Sequence, residues 1–219
     1  DHEDHEDHED HEDHEDHDLS EIYKVPKTKH IFNLKIDYND PRDHIKKWSL
    51  EQTNAVPQSV DLRTKEWPEI FDQGQLGSCT ANAISAAFSY QYNCEHNKLF
   101  IPSRLFIYYN ERYMEGTVNQ YAGAQIKDGV KSTNKFGVCS ENIWPYDISK
   151  LRQKPPKKDY RWALNNQSTN YSRVQATVND FKTAISNGHP VIFGFSVPAS
   201  VEEIGSDGYM PEYDQNKDK

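Results

Sequence analysis

The chain has 219 residues, and its 35 acidic and 25 basic side chains give a formal net charge of −10. Five Asp-His-Glu repeats and a final Asp-His-Asp form residues 1–18, whose formal charge of −12 leaves +2 for the remainder, so the acidity indicates nothing about a substrate. Beyond this tail the sequence lacks phosphate-cradling loops, spaced metal-ligand clusters and an apolar run long enough to cross a membrane. Nucleotide-dependent and zinc-dependent enzymes are therefore excluded, and no membrane partner is expected.

Residues 1–18 contain twelve acids, six histidines and no apolar side chain, so they cannot form a core. We predict a disordered, solvated tail. Its imidazole and carboxylate groups could also bind divalent metals weakly, and a metal-buffering polypeptide is the least favoured of three functional hypotheses. Residues 19–55 are charged, with a few spaced apolar side chains, and are poorly built for an independent core.

The most informative stretch is the run from Asp72 to Ala83, which joins a side-chain amide, a glycine-rich turn and a thiol. Small and apolar residues recur at helical spacing from Thr80 to Tyr92, so Cys79 is predicted at a helix start. There the unpaired backbone N–H groups and the helix dipole favour the thiolate, which is the nucleophilic form. The amide of Gln73 could join the backbone N–H of Cys79 in holding an oxyanion.

In these residues the chain resembles the papain and cathepsin family of cysteine peptidases, whose local signature is Cys-Gly-Ser/Ala-Cys followed by Trp or Tyr. Gly77, Ser78 and Cys79 match this signature. Leu76 stands where the family usually has a disulfide cysteine, and Thr80 stands where it usually has an aromatic residue.

Further similarities follow in the family's order. They are a mature-domain start at Val56–Arg63, a helix behind the nucleophile at Ile101–Tyr109, a specificity-pocket shelf at Tyr121–Ala124, the aromatic run Trp144–Tyr146 and an entry to the second subdomain at Ile185–Phe195. The resemblance implies that Gly77, Ser78, Gly123 and Ala124 bind substrate, with Ala124 where many relatives have a second glycine. It also implies a pro-segment or linker at residues 19–55 and a peptidase domain at residues 56–219. Trp144 and Tyr146 are interpreted first as packing residues.

The resemblance implies a histidine base oriented by an asparagine, about 130–150 residues beyond the cysteine. No histidine follows His189, which lies only 110 positions after Cys79 and is a weak candidate for the base. We therefore expect both partners beyond Lys219, with this chain alone inactive.

The chain has only three cysteines, and with Cys79 assigned to chemistry a disulfide framework is not expected. The few cysteines argue against a strongly oxidising setting, while lysosomal or vacuolar, extracellular and virion locations stay open. The Lys154–Lys158 cluster is most simply interpreted as an exposed proline turn, so no nucleic-acid partner is expected.

The resemblance implies an α+β, papain-like fold, with a helical left subdomain and an incomplete β-rich right subdomain. It implies a monomeric cysteine endopeptidase, made as a zymogen, that acts on proteins or peptides through Cys79 and Gln73 without a cofactor or metal. The alternative is an inactive homologue that acts as a peptide-binding or scaffold module.

Overall fold

The structure is a computed structural model that describes residues 31–38, 40–63, 70–198, 200–201, 204–205, 208–210 and 212. The acidic tail and the first part of the predicted pro-segment lie outside these residues, so the predictions about them stay predictions. The described helices are α1 (Leu50–Asn54), α2 (Cys79–His96), α3 (Arg104–Glu115), α4 (Ile126–Phe136), α5 (Lys157–Ala163) and α6 (Val178–Ser186), and a short 3₁₀ helix lies at Ile148–Lys150.

The two helices nearest the predicted site begin and end where their sequences indicate. Helix α2 begins at Cys79 itself, and it stops where Asn97 takes the left-handed conformation, with φ of 49°. The Ser103 side chain caps α3 by accepting a hydrogen bond from the Phe106 backbone N–H at 3.0 Å. Gly116, with φ of 70°, ends α3.

Helices α2, α3 and α4 pack against one another around one apolar core. The buried members of this core are Leu76, Ala81, Ile84, Leu105, Phe106, Ile107, Tyr108, Val138, Cys139, Trp144, Leu151 and Ala163. Leu76 lies fully buried in this core, where the family signature would have a cysteine, so it contributes packing in place of a bridge. All three cysteines are free thiols.

A glycine sets how closely α5 approaches the end of α4. Gly137 has φ of 71°, and a methyl group there would collide with the backbone carbonyl of Ala163. The chain therefore turns sharply after α4 and lies directly against the last residue of α5.

Extended segments of the described chain form far fewer regular backbone hydrogen bonds than the helices do. Among the described residues the only β pairings outside helices are isolated bridges, which join Lys35 to Gln125, Ile45 to Arg173 and Pro102 to Ser140. Residues 189–198 contain no helix and no bridge. Within the described residues the helical subdomain is thus formed, while residues 189–198, in the predicted entry to the β-rich subdomain, are extended and unpaired in any bridge.

The N-terminal part of the described chain crosses the helical subdomain before the nucleophile is reached. Residues 31–38, which we call the crossing segment, pair with the residues before α4 through a hydrogen bond from the Lys35 N–H to the Ala124 carbonyl, at 3.1 Å. Farther on, α1 packs against α6, and the Gln52 side-chain amide donates to the Asn187 side chain at 3.1 Å.

None of the helices that the structure describes combines the length and the apolar character that a membrane span requires.

Candidate active site

Cys79 is the first residue of α2, as the sequence predicted, and it follows a tightly braced turn. Gly74 has φ of 58°, which favours glycine, and it allows the turn that brings the Leu76 N–H to the Gln73 carbonyl at 3.4 Å. The Tyr121 hydroxyl donates to the Gln75 carbonyl and accepts from the Gly77 N–H, the latter at 3.2 Å. The turn before the thiol is therefore held to the predicted shelf.

The side chain of Gln73 already holds a carbonyl oxygen. Its Nε2 donates to the backbone carbonyl of Ile31 at 2.9 Å and to that of Leu76 at 3.2 Å. Because Ile31 belongs to the crossing segment, the Gln73 amide that was predicted to bind an oxyanion already donates to a peptide carbonyl of this segment.

The crossing segment then passes directly over the nucleophile and the shelf. A methyl group at Gly77 would approach the Asn33 Cβ to 2.9 Å, and one at Gly123 would collide with the Asn33 backbone carbonyl. The side chain of Ala124 is buried, but its carbonyl accepts from Lys35. All of Gly77, Ser78, Gly123 and Ala124 thus lie beside Cys79 or beneath the crossing segment, and the absence of side chains at the two glycines gives this segment its room.

Burial raises the pKa of the Cys79 thiol above its usual range. Hydrogen bonding from the backbone N–H groups of Asn33 and Thr80 lowers this pKa, but not enough to offset the lost solvation, and the charge of Glu111 raises it further. The helix start is therefore confirmed, while the thiolate that it was expected to favour is disfavoured with the crossing segment in place.

His189 lies on the surface of the described region, and its ring centroid is 6.5 Å from that of Trp48. Its backbone N–H donates to the Ala184 carbonyl at 3.0 Å, which completes the turn after α6. Among the hydrogen bonds of the described residues, none joins His189 to Cys79. The ring contact and this bond are the contacts of a turn residue and add no support for a role as base.

A cluster of ion pairs holds the chain immediately after the crossing segment. Lys127 Nζ lies 3.1 Å from Asp40 Oδ2 and 3.1 Å from Asp43 Oδ1, and Arg173 Nη2 lies 3.1 Å from Asp43 Oδ2. Hydrogen bonds from Arg42 are the main reason that the pKa of Asp40 is held well below its usual range. We call Asp40, Asp43, Lys127 and Arg173 the acidic clamp. It fastens the chain that directly follows the crossing segment to α4 and to the chain before α6.

Several residues at the site had no functional assignment in the sequence. Asn33 and the clamp acids come from a region interpreted as pro-segment or linker, and no local pattern marks which residue crosses the thiol. Tyr146 was interpreted as packing, yet its hydroxyl reaches both Gln73 and Ser78. Glu111 lies fully buried behind the nucleophile and accepts from the Thr80 hydroxyl at 2.6 Å. Thr80 thus contributes a hydrogen bond where the family's aromatic residue would pack.

The described residues contain no group of three or more His, Cys, Asp or Glu side chains arranged to hold a metal ion. The histidine-rich tail lies outside the described residues.

Comparison with known proteins identifies this arrangement. The sequence model described as papain family cysteine protease matches residues 56–213. An uncharacterized peptidase C1-like protein of Acanthamoeba polyphaga mimivirus is 46% identical over 135 residues, which cover 58% of this chain and 43% of that protein. The chain thus spans less than half the length of this curated relative.

Solved structures agree on the fold. Xylellain, a cysteine protease from Xylella fastidiosa, matches with a TM-score of 0.66 and 37% identity over 75% of this chain and 66% of its own. Digestive procathepsin L 3 of Tenebrio molitor matches with a TM-score of 0.52 at 18% identity, over 66% of this chain and 46% of its own. These matches confirm the α+β, papain-like fold, and by its matched sequence and its fold the chain belongs to the papain family of cysteine proteases.

Proposed function

We propose that the protein is a cysteine endopeptidase in which Cys79 attacks the carbonyl carbon of a peptide bond. The observation that carries this proposal is the Gln73 amide, which donates at 2.9 Å to the peptide carbonyl of Ile31 in the crossing segment. A group that holds a neutral carbonyl there can hold the oxyanion that forms when sulfur adds to that carbon, together with the Cys79 N–H.

The reaction has two halves. In the first, the Cys79 sulfur adds to the carbonyl carbon, and the C–N bond then breaks as the amine leaves with a proton. In the second, water adds to the thioester, the C–S bond breaks and the acid product leaves. Both halves need a group that accepts and returns a proton, and we propose that this base is a histidine outside the 219 residues, as the sequence predicted.

We further propose that residues 31–45, within the predicted pro-segment, keep the enzyme inactive as a zymogen. Within the crossing segment, hydrogen bonding from the Asn33 N–H lowers the pKa of Cys79, while the carbonyl held by Gln73 is that of Ile31, two residues earlier. An N–H is not an electrophile, so the segment can occupy the site without presenting a carbonyl carbon to the sulfur. The shelf residues Gly123 and Ala124 would bind a substrate backbone once the segment has left.

The test uses the full-length native protein and a peptidyl epoxide, whose ring a thiolate opens. We expect one label per chain, on Cys79, no label in Cys79→Ala, and hydrolysis of unstructured peptides once residues 31–45 have been removed by limited proteolysis. Labelling of Cys79 without hydrolysis would favour the alternative of an inactive, peptide-binding homologue. No labelling at all, with the segment removed, would overturn both proposals.

The zymogen proposal has its own test in the acidic clamp. Asp43 pairs with both Lys127 and Arg173, so Asp43→Asn should free the segment and accelerate epoxide labelling by about tenfold, equivalent to losing roughly 1.4 kcal/mol of segment binding. Asp61→Asn is the matched control, because its exposed ion pair with Arg63 lies outside the clamp. Equal labelling rates in the two variants would contradict the proposed role of the segment.

A further inference from the structure

The hydroxyl of Tyr146 joins the two pieces of chain that carry the proposed oxyanion donors. It lies 2.9 Å from the Gln73 carbonyl oxygen and 2.5 Å from the Ser78 Oγ. A phenol has one proton, so Tyr146 donates to the carbonyl and accepts from the Ser78 hydroxyl. Burial raises the pKa of Tyr146, which keeps this proton on the ring oxygen.

The two hydrogen bonds of the Tyr146 hydroxyl reach residues at opposite ends of the turn before Cys79. Gln73 supplies the side-chain donor, and the fully buried Ser78 directly precedes the Cys79 N–H that would be the second donor. The five residues between Gln73 and Cys79 include two glycines, so the covalent chain alone fixes the spacing of the two donors only loosely, and bonds to other segments must hold it. A single oxygen that contacts both ends of the turn can do so.

The ring of Tyr146 is held in place on its other side by a buried cation. The Arg104 guanidinium lies 4.1 Å from the centroid of the Tyr146 ring and 4.1 Å from that of Phe71. Glu141 accepts from Arg104 Nη2 at 2.9 Å and from the Tyr146 backbone N–H at 3.1 Å, which fixes ring and backbone together.

The same network returns to the nucleophile through Asn82. Arg104 Nη1 donates to Asn82 Oδ1 at 3.3 Å, and Asn82 Nδ2 donates to the Ser78 carbonyl at 2.9 Å and to the Ser78 Oγ at 3.0 Å. Ser78 is thus held by Tyr146 from one side and by Asn82 from the other. A buried network of this kind limits the geometry of Ser78 and Tyr146, because each hydrogen bond restricts the next.

We propose that Tyr146 is a positioning residue that sets the distance between the Gln73 amide and the Cys79 N–H, and hence the fit of the site to the oxyanion. This inference rests on the proposed peptidase function. It assigns Tyr146 no contact with substrate.

The test compares a peptide aldehyde with the peptide alcohol of the same sequence, both bound to the full-length protein. The aldehyde carbon bonds to the Cys79 sulfur, the thiol proton moves to the former carbonyl oxygen, and that oxygen lies at the proposed donors. The alcohol makes the same subsite contacts but cannot form this adduct. The ratio of the two affinities therefore cancels both subsite binding and displacement of the crossing segment.

In Tyr146→Phe we expect this ratio to fall about tenfold, because the donors are loosened and not removed, while the alcohol binds as before. For peptide hydrolysis, kcat should fall by a similar factor with KM little changed. Tyr160→Phe is the matched control: it loses one part-buried hydroxyl bond, to Asn110 at 2.8 Å, and keeps its ring packing against Phe106. Its ratio should equal that of the wild type.

The outcomes separate this inference from the function on which it rests. An aldehyde advantage in the wild type that is unchanged in Tyr146→Phe would overturn the positioning role and leave the peptidase proposal standing. Equal falls in Tyr146→Phe and Tyr160→Phe would overturn it as well, since a general loss of stability would then explain both. No aldehyde advantage in the wild type would overturn the oxyanion site and this inference together.

Discussion

The helical subdomain and residues 189–198 both contain apolar sequence, but only the first has buried it. Phe106 and Tyr108 of α3 are fully buried, whereas Phe193 and Phe195 are 56% and 51% exposed. A helix satisfies its backbone hydrogen bonds within one segment and needs only a neighbour for its apolar face. Extended chain needs a partner strand for its backbone as well, and among the described residues none pairs with residues 189–198 in a bridge.

The largest expected effect contrasts one phenylalanine from each region. Phe106→Ala should lower the free energy of unfolding by about 3–5 kcal/mol, because it leaves a cavity in the core, whereas Phe193→Ala should cost less than about 1 kcal/mol. Urea denaturation of the two variants measures both values. Equal losses would mean that Phe193 belongs to a packed core after all.

A smaller effect should follow from the buried carboxyl of α3. Burial raises the pKa of Glu111 to about 8, with a hydrogen bond from Thr80 opposing the shift and the charges of Glu115 and Asp128 adding to it. Because the folded pKa lies above the unfolded one, the folded state holds this proton more tightly. The contribution is fully present below the unfolded value near 4.5 and is lost as pH rises through about 8.

We therefore expect stability to fall between these pH values by of order 1 kcal/mol per pH unit from this group alone. Glu111→Gln should remove that slope. Glu95→Gln, which changes an exposed carboxyl that accepts from Gln91, is the control. Thermal melts across this range would show parallel curves for all three proteins if Glu111 did not titrate with folding.

The next effect concerns a single hydroxyl beneath the shelf. The Tyr108 hydroxyl donates to the Ala122 carbonyl at 2.8 Å. Tyr108→Phe should cost about 1 kcal/mol of stability, since it leaves that carbonyl without this donor. Denaturant unfolding measures this loss of stability. If the free energy of unfolding stayed within experimental error of the wild-type value, the hydrogen bonds of Tyr121 alone would hold the shelf in place.

The smallest effect on stability is expected from adding a methyl group at Gly194 in the extended region. This change should alter access to Cys79 more than it alters the free energy of unfolding. In Gly194→Ala the new Cβ would collide with the side chain of Leu34 in the crossing segment. Stability should change by less than about 0.5 kcal/mol, while epoxide labelling of Cys79 accelerates because the segment is pushed out. Labelling at the wild-type rate would show that the collision is relieved by movement of residue 194 or of the Leu34 side chain and not of the segment.

Much of the site was predictable because its signals are local. A glycine-rich turn, a thiol and a helical repeat lie within twenty residues of one another, and the start of α2 at Cys79 follows from them. The helix behind the nucleophile was predicted at Ile101–Tyr109 and lies at Arg104–Glu115, because Ser103 supplies the N-cap and Gly116 the end. Such signals act over one or two turns of chain and need no knowledge of the fold.

The contacts that tune the site join residues far apart in the sequence. Gln73 meets Ile31 across 42 positions, and Tyr146 meets Gln73 across 73. Tyr146 was interpreted as a packing residue because the sequence of an aromatic run does not distinguish a ring that only packs from one whose hydroxyl makes hydrogen bonds. Asn33 had no signal at all, since any residue with a backbone N–H could make its contact with the sulfur.

By itself, then, the sequence determined the family, the start of α2 at Cys79 and the glycine turn before it, because each depends on short-range backbone preferences or on a contiguous motif. Tertiary structure alone decided which segment covers Cys79, which charges clamp it and which hydroxyl spaces the proposed oxyanion donors. Those outcomes depend on packing between distant segments, where direction and distance matter, and residue type alone specifies neither.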